Sequence, residues 1–211
     1  MKELGIFGAS GFSREVADIA LSLGYEPFLI SEKGNDQLYK DLPYEVLEEK
    51  EAVSRRHCFF SIGIGDNQLR ARIADRYKDS LRFVNLIHPS AVFGYKMMER
   101  LELSDGLIIC AGVILTNNID IGNFTIINLN ATIGHDCVVD DYVNISPGVS
   151  VSGNVHLESG CSIGTGASII QGHPDNKLKI GTNTVIGAGS VVNKTCLPES
   201  TYVGVPARRL Q

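Results

Sequence analysis

From Ile109 onward an aliphatic residue returns at every sixth position: Ile109, Leu115, Ile121, Ile127, Ile133, Val139, Ile145, Val151, Leu157, Ile163 and Ile169. Four residues after each of these comes a second, mostly small or β-branched position, running Val113, Ile119, Thr125, Ala131, Cys137, Val143, Val149, Val155, Cys161 and Ala167. A period of six fits neither the 3.6 of an α-helix nor the alternation of a lone strand. It is the period of stacked β-coils, in which long and short side chains alternate inside a narrow prism. The pattern breaks over residues 173–179 and resumes at Ile180, Ile186 and Val192. Eleven residues separate Ile169 from Ile180 instead of six, so the spacing predicts a protruding loop of about five residues.

Before the repeat the pattern is different. Residues 3–8 read as a strand that opens into Gly8-Ala9-Ser10-Gly11-Phe12-Ser13 and a helix over 13–23, closed by Gly24. A second strand over 27–31 ends at Ser31 and Glu32, and a third over 58–65 ends in the turn Gly65-Asp66-Asn67 before a helix over 68–78. Glycines let a backbone approach a ligand closely, and the free N–H groups of a helix start attract an anion such as a phosphate. A carboxylate about 20 residues beyond the glycines is the spacing at which a βαβ unit meets a ribose. The region ends near Phe83, roughly half the length that two mononucleotide halves need, so one nucleotide fits better than a dinucleotide. Residues 84–108 connect the two parts through Pro89 and a Met97-Met98-Glu99-Arg100 segment, with imperfect coils expected from Ala91.

Composition changes this picture little. Net charge −5 over 211 residues leaves no basic footprint for a nucleic acid. No apolar run approaches the roughly 20 residues of a membrane span, and Met1-Lys2-Glu3 runs straight into a strand, which points to the cytoplasm. The five cysteines are odd in number and lack CxxC spacing, which argues against a disulfide framework and a zinc cage, and Cys137 and Cys161 fall on the small inward position of the repeat. No metal site is expected.

Within the repeat one segment is not explained by packing: Gly134-His135-Asp136, followed nine residues after the histidine by Asn144. His135 stands two positions after Ile133 and two before Cys137, hence facing outward. Together with Gly204-Val205-Pro206-Ala207 at the end, the repeat resembles the left-handed β-helix (hexapeptide-repeat) acyltransferases. Gly8-Ala9-Ser10-Gly11, Ile64-Gly65-Asp66-Asn67, Val84-Asn85-Leu86-Ile87-His88-Pro89 and Gly134-His135-Asp136-Cys137 are similar to the branch containing bacterial nucleotide-amino-sugar N-acetyltransferases and sialic acid O-acetyltransferases.

That resemblance implies an α/β Rossmann-like βαβ domain over residues 1–83, followed by an all-β left-handed parallel β-helix over 84–211. It implies a homotrimer with acetyl-CoA as co-substrate lying along the outer wall between subunits, and a nucleotide sugar held by the first domain. His135 takes the family's general-base position and Asp136 that of its orienting acid. Asn144, Gly153, Thr165 and Ala188 match acetyl-CoA contacts, while Ser10, Gly11, Phe12, Ser31, Glu32 and Gly65 match the nucleotide-sugar side. Phe12 and Asn144 stand where some relatives carry histidines, and Ser31-Glu32 where some carry paired aspartates. The expected reaction is N-acetylation of a nucleotide-linked deoxyamino sugar by direct transfer, with acetylation of a sugar hydroxyl as the alternative.

Overall fold

The computed structural model describes residues 2–32 and 41–210. The first unit runs β1 (Lys2–Phe7), α1 (Gly11–Ser22), β2 (Tyr25–Ser31), β3 (Val46–Glu48), α2 (Glu49–Ser54), β4 (Phe59–Ile62), α3 (Asn67–Tyr77) and β5 (Arg82–Phe83). These strands form a parallel sheet in the order β3-β2-β1-β4-β5. β1 is central and its Leu4 and Ile6 are fully buried, which is why it reads as a continuous apolar run. The chain leaves β1 towards β2 and later returns to β1's other side as β4, so the strand order reverses between β1 and β4. Crevices beyond the carboxyl ends of strands at such a reversal are where open α/β sheets bind ligands. α1 begins at Gly11, two residues before the predicted start, with Ser10 as its N-cap. The short β3, α2 and β5 were not expected, being two to six residues long and without a readable period.

The second unit is a parallel β-helix with three faces. On each face a strand pairs with the strand eighteen residues later, three hexapeptides on, as in Ile108↔Ile126↔Asn144 on the first face, Thr132↔Ser150 on the second and Val138↔His156 on the third. From Val155 the step becomes twenty-three, as in His156↔Lys179 and Ser162↔Val185, which accounts for the five-residue insertion. The six-residue ladder and its smaller partners fill the prism. Coils begin earlier than expected, with Leu86–Ile87 and Val92–Phe93 already paired into the first two faces. The third side of that coil is α4 (Met97–Leu101), whose buried Met97 and Leu101 close the end of the prism.

Most corners of the triangle carry a left-handed residue. Gly112, Asn130, Gly148, Gly166 and Gly189 supply it between faces one and two, and Asn118, Asp136 and Asn154 between faces two and three. Glycine, asparagine and aspartate tolerate this region best. At the remaining corner Gly106, Gly160, Asn183 and Glu199 share the role with Phe124 (φ 52°) and Tyr142 (φ 59°), bulky side chains that pay for the unfavourable backbone with packing. Their rings stack 5.7 Å apart, and Phe83 of the first unit meets Phe124 edge-on at 5.1 Å.

That corner is where the first unit docks. Ile108, Cys110 and Ile126 of face one share a core with Leu4, Ile6, Val16 and Ala17. Arg70 of α3 is only 1% exposed and donates to the carbonyls of Phe124, Ile64, Gly65, Tyr142 and Val143, besides Asn67 Oδ1. Burial pulls its guanidinium down to about 10, still charged at neutral pH. Asn67 Nδ2 reaches the Gly160 carbonyl at 2.7 Å and Ser162 Oγ at 2.9 Å.

Candidate active site

His135 sits at the corner between faces two and three, just after the strand Thr132–Ile133, with half of its side chain exposed (50%). Its Nδ1 lies 2.7 Å from Asp136 Oδ2. The carboxyl of Asp136 is held below the usual carboxylate range, first by a hydrogen bond from Asn118 Nδ2 and then by His135. An ionised carboxylate only accepts, so Nδ1 carries the imidazole proton and Nε2 keeps its lone pair for a substrate. Gly153, one coil further on, lies directly beneath the ring: a Cβ there would sit 2.6 Å from both Cε1 and Nε2. The glycine is required by the close approach of the imidazole and not by its backbone angles.

The other predicted co-substrate residues lie elsewhere on the prism. Thr165 and Ala188 are exposed on the corner between faces one and two, in successive coils, with Gly189 N–H donating to the Thr165 carbonyl. Face two therefore runs between this corner and that of His135 and Gly153. Asn144 opens a strand of face one, in register with Ser162, beside the docked Asn67. In a triangular coil, face one lies opposite the corner between faces two and three, so one chain does not bring Asn144 to its own His135.

The nucleotide-side residues gather along the carboxyl edge of the first sheet. Ser10, Gly11 and Phe12 follow β1, Ser31 and Glu32 end β2, and Gly65 follows β4. Gly8 (φ 112°) makes the turn after β1, its N–H donating to the Ile30 carbonyl, and Ser13 Oγ donates to the Gly63 carbonyl at 3.0 Å, tying the two glycine turns together. A Cβ on Gly65 would meet nothing within 4 Å, and one on Gly11 only Arg14 Nη2 at 3.9 Å. Packing thus leaves open space at both. Phe12 is half-buried against the core, and the Gly65 carbonyl is drawn into the Arg70 network.

Two further groups reach the His135 corner. Asn118 lies one coil before Asp136, and Lys177 Nζ, from the insertion, donates to the Asp136 carbonyl oxygen. Asn118 was recoverable from the sequence as the residue eighteen positions before Asp136, while Lys177 had no such signal. Among the described residues the metal-type donors that converge are Glu3, His57 and Cys58, with Arg55 already 3.5 Å from the same carboxylate. No helix among the described residues is long and apolar enough to cross a membrane.

Residues 3–77 match the PglD N-terminal domain family. Over its whole length the chain is 30% identical to GDP-perosamine N-acetyltransferase of Escherichia coli O157:H7, covering 97% of that protein. Among solved structures it is similar to WeeI from Acinetobacter baumannii AYE (31% identity, TM-score 0.88, all of both chains). A histidine-to-asparagine variant of perosamine N-acetyltransferase from Caulobacter crescentus, in complex with CoA and GDP-perosamine, superimposes with a TM-score of 0.89 at 26% identity, over 100% of this chain and 98% of that one.

Proposed function

The chain belongs to the hexapeptide-repeat N-acetyltransferases of nucleotide-linked amino sugars, and from that premise we propose that it transfers acetyl from acetyl-CoA to the amino group of a nucleotide-linked deoxyamino sugar. The observation that carries the mechanism is the oriented dyad: Asp136 holds His135 Nδ1, and Nε2 of the half-exposed ring lies over Gly153. The sugar amine attacks the thioester carbonyl while Nε2 accepts the amine proton. The tetrahedral intermediate collapses, the C–S bond breaks, and the imidazolium returns its proton to the departing thiolate. No acyl-enzyme is needed. The Gly153 N–H and the Asn144 carboxamide are the donors we assign to the carbonyl oxygen as charge develops on it.

Acetyl-CoA would lie across face two, from Thr165 and Ala188 at one corner to Gly153 and His135 at the other. Residues 1–83 would hold the nucleotide through Ser10, Gly11, Phe12, Ser31, Glu32 and Gly65, and residues 84–211 would carry the transfer. Because the first unit and Asn144 occupy the side of the prism away from His135, the sugar held by one copy reaches the base of a neighbour. A homotrimer closes such a heterologous contact into a ring. A cytoplasmic location suits both co-substrates.

The acceptor is tested by thiol release with 4-amino-4,6-dideoxy sugars carried on GDP, UDP or dTDP, alongside free sialic acids. Turnover with at least one amino-sugar nucleotide and none with sialic acids is expected. Turnover confined to sialic acid hydroxyls would overturn the assignment.

A further inference from the structure

Resting on the reading of His135 as the base, we propose that Arg100 and Asn118 are positioning residues for the transfer, forming the far half of a relay Arg100–Asn118–Asp136–His135 that fixes which imidazole nitrogen carries the proton. The Met97-Met98-Glu99-Arg100 segment thereby gains a role beyond closing the prism. Arg100 Nη2 donates to Asn118 Oδ1 at 2.6 Å, Asn118 Nδ2 donates to Asp136 Oδ1 at 2.7 Å, and Asp136 Oδ2 lies 2.7 Å from His135 Nδ1.

The direction of this chain follows from its first member. A guanidinium can only donate, so the Asn118 carboxamide must turn its oxygen to Arg100 and its NH₂ to Asp136. Asp136 then accepts at both oxygens, and the proton on His135 is held at Nδ1. Without Arg100, the amide gains freedom to flip and present an oxygen to a carboxylate, a repulsive contact that would turn Asp136 away. Arg100 is itself held by Asp120. Lys177, donating to the Asp136 carbonyl, steadies the same residue from the insertion side. Asn118 and Asp136 both adopt the left-handed region (φ 55° and 58°), which aligns their side chains on successive coils. The six-residue packing pattern requires neither hydrogen bond. The charged groups around the dyad are Lys177 directly and Arg100, with its partner Asp120, through Asn118.

The test is steady-state kinetics and pH profiles on four variants beside His135→Ala, each with its melting temperature measured. Asn118→Gly deletes the side chain without straining the left-handed backbone and should lower kcat about 10-fold, leaving KM for acetyl-CoA within about twofold, because Asn118 acts through Asp136 and is not among the residues assigned to either co-substrate. Asn118→Asp places a second carboxylate beside Asp136. It makes the imidazolium easier to form, and so should move the acid limb of kcat/KM to higher pH. Arg100→Met should lower kcat about threefold, and Arg100→Lys, which can still only donate, should restore it. Wild-type kcat in Asn118→Gly together with an unmoved acid limb in Asn118→Asp would overturn the relay. If that occurs while His135→Ala is inactive, the relay alone fails. If His135→Ala is fully active, the base assignment fails and the relay with it.

Discussion

Gly153 and His135 are coupled by contact, since the coil carrying Gly153 forms the floor on which the imidazole rests. Gly153→Ala would place a methyl 2.6 Å from Nε2 and displace the ring while leaving an allowed backbone. A loss of about 10²-fold in kcat is expected with a nearly unchanged melting temperature, and wild-type kcat would contradict the contact. Asp136 adds a pH prediction. Its folded-state value is depressed, so the carboxylate is fully ionised above the usual carboxylate range and is lost only as pH falls through the lowered value. Approaching from neutral pH, the acid limb of kcat/KM should therefore report one ionisation, that of the base, with a limiting slope of about one. A slope of about two would show Asp136 titrating in the same range.

Between elements, the decisive contact is α3 against the aromatic corner of the β-helix. Arg70→Met would leave the carbonyls of Phe124, Tyr142 and Val143 without this buried donor. It should cost roughly 2–5 kcal/mol, read as a lower urea midpoint. A change under about 1 kcal/mol would mean that water replaces the guanidinium. Arg70 also marks where sequence reading stops. Its place on α3 resembles any amphipathic arginine, and its burial exists only because two aromatic residues accept left-handed backbones eighteen positions apart. The β-helix, by contrast, was legible from its ladder, and so was the insertion, because a side chain every six residues has no alternative explanation. The outward His135 followed from the same register. Its neighbours split: Asn118 could be found by stepping back eighteen residues, while Arg100 and Lys177 come from α4 and the insertion, the two segments that break the period. The start of the coils at Leu86 was hidden for the same reason, since α4 interrupts the first turn.

In the whole molecule, His135 stands at the corner of the prism opposite face one, against which the first unit packs, so in the proposed homotrimer the sugar held by one copy meets the base of a neighbour. Co-expression of His135→Ala with a chain carrying Gly65→Phe, where the added side chain enters open space, tests this. Each variant alone should be inactive. Equal random mixing should restore about a quarter of wild-type activity, because about a quarter of the interfaces then pair an intact base with an intact crevice. No recovery would place both halves in one chain. The most direct measurement is kcat/KM of His135→Ala against wild type, with an amino-sugar nucleotide shown to be turned over and acetyl-CoA binding verified. A fall of at least about 10²-fold with unchanged acetyl-CoA binding is the predicted result. Near wild-type kcat/KM in that variant would contradict transfer by a histidine general base.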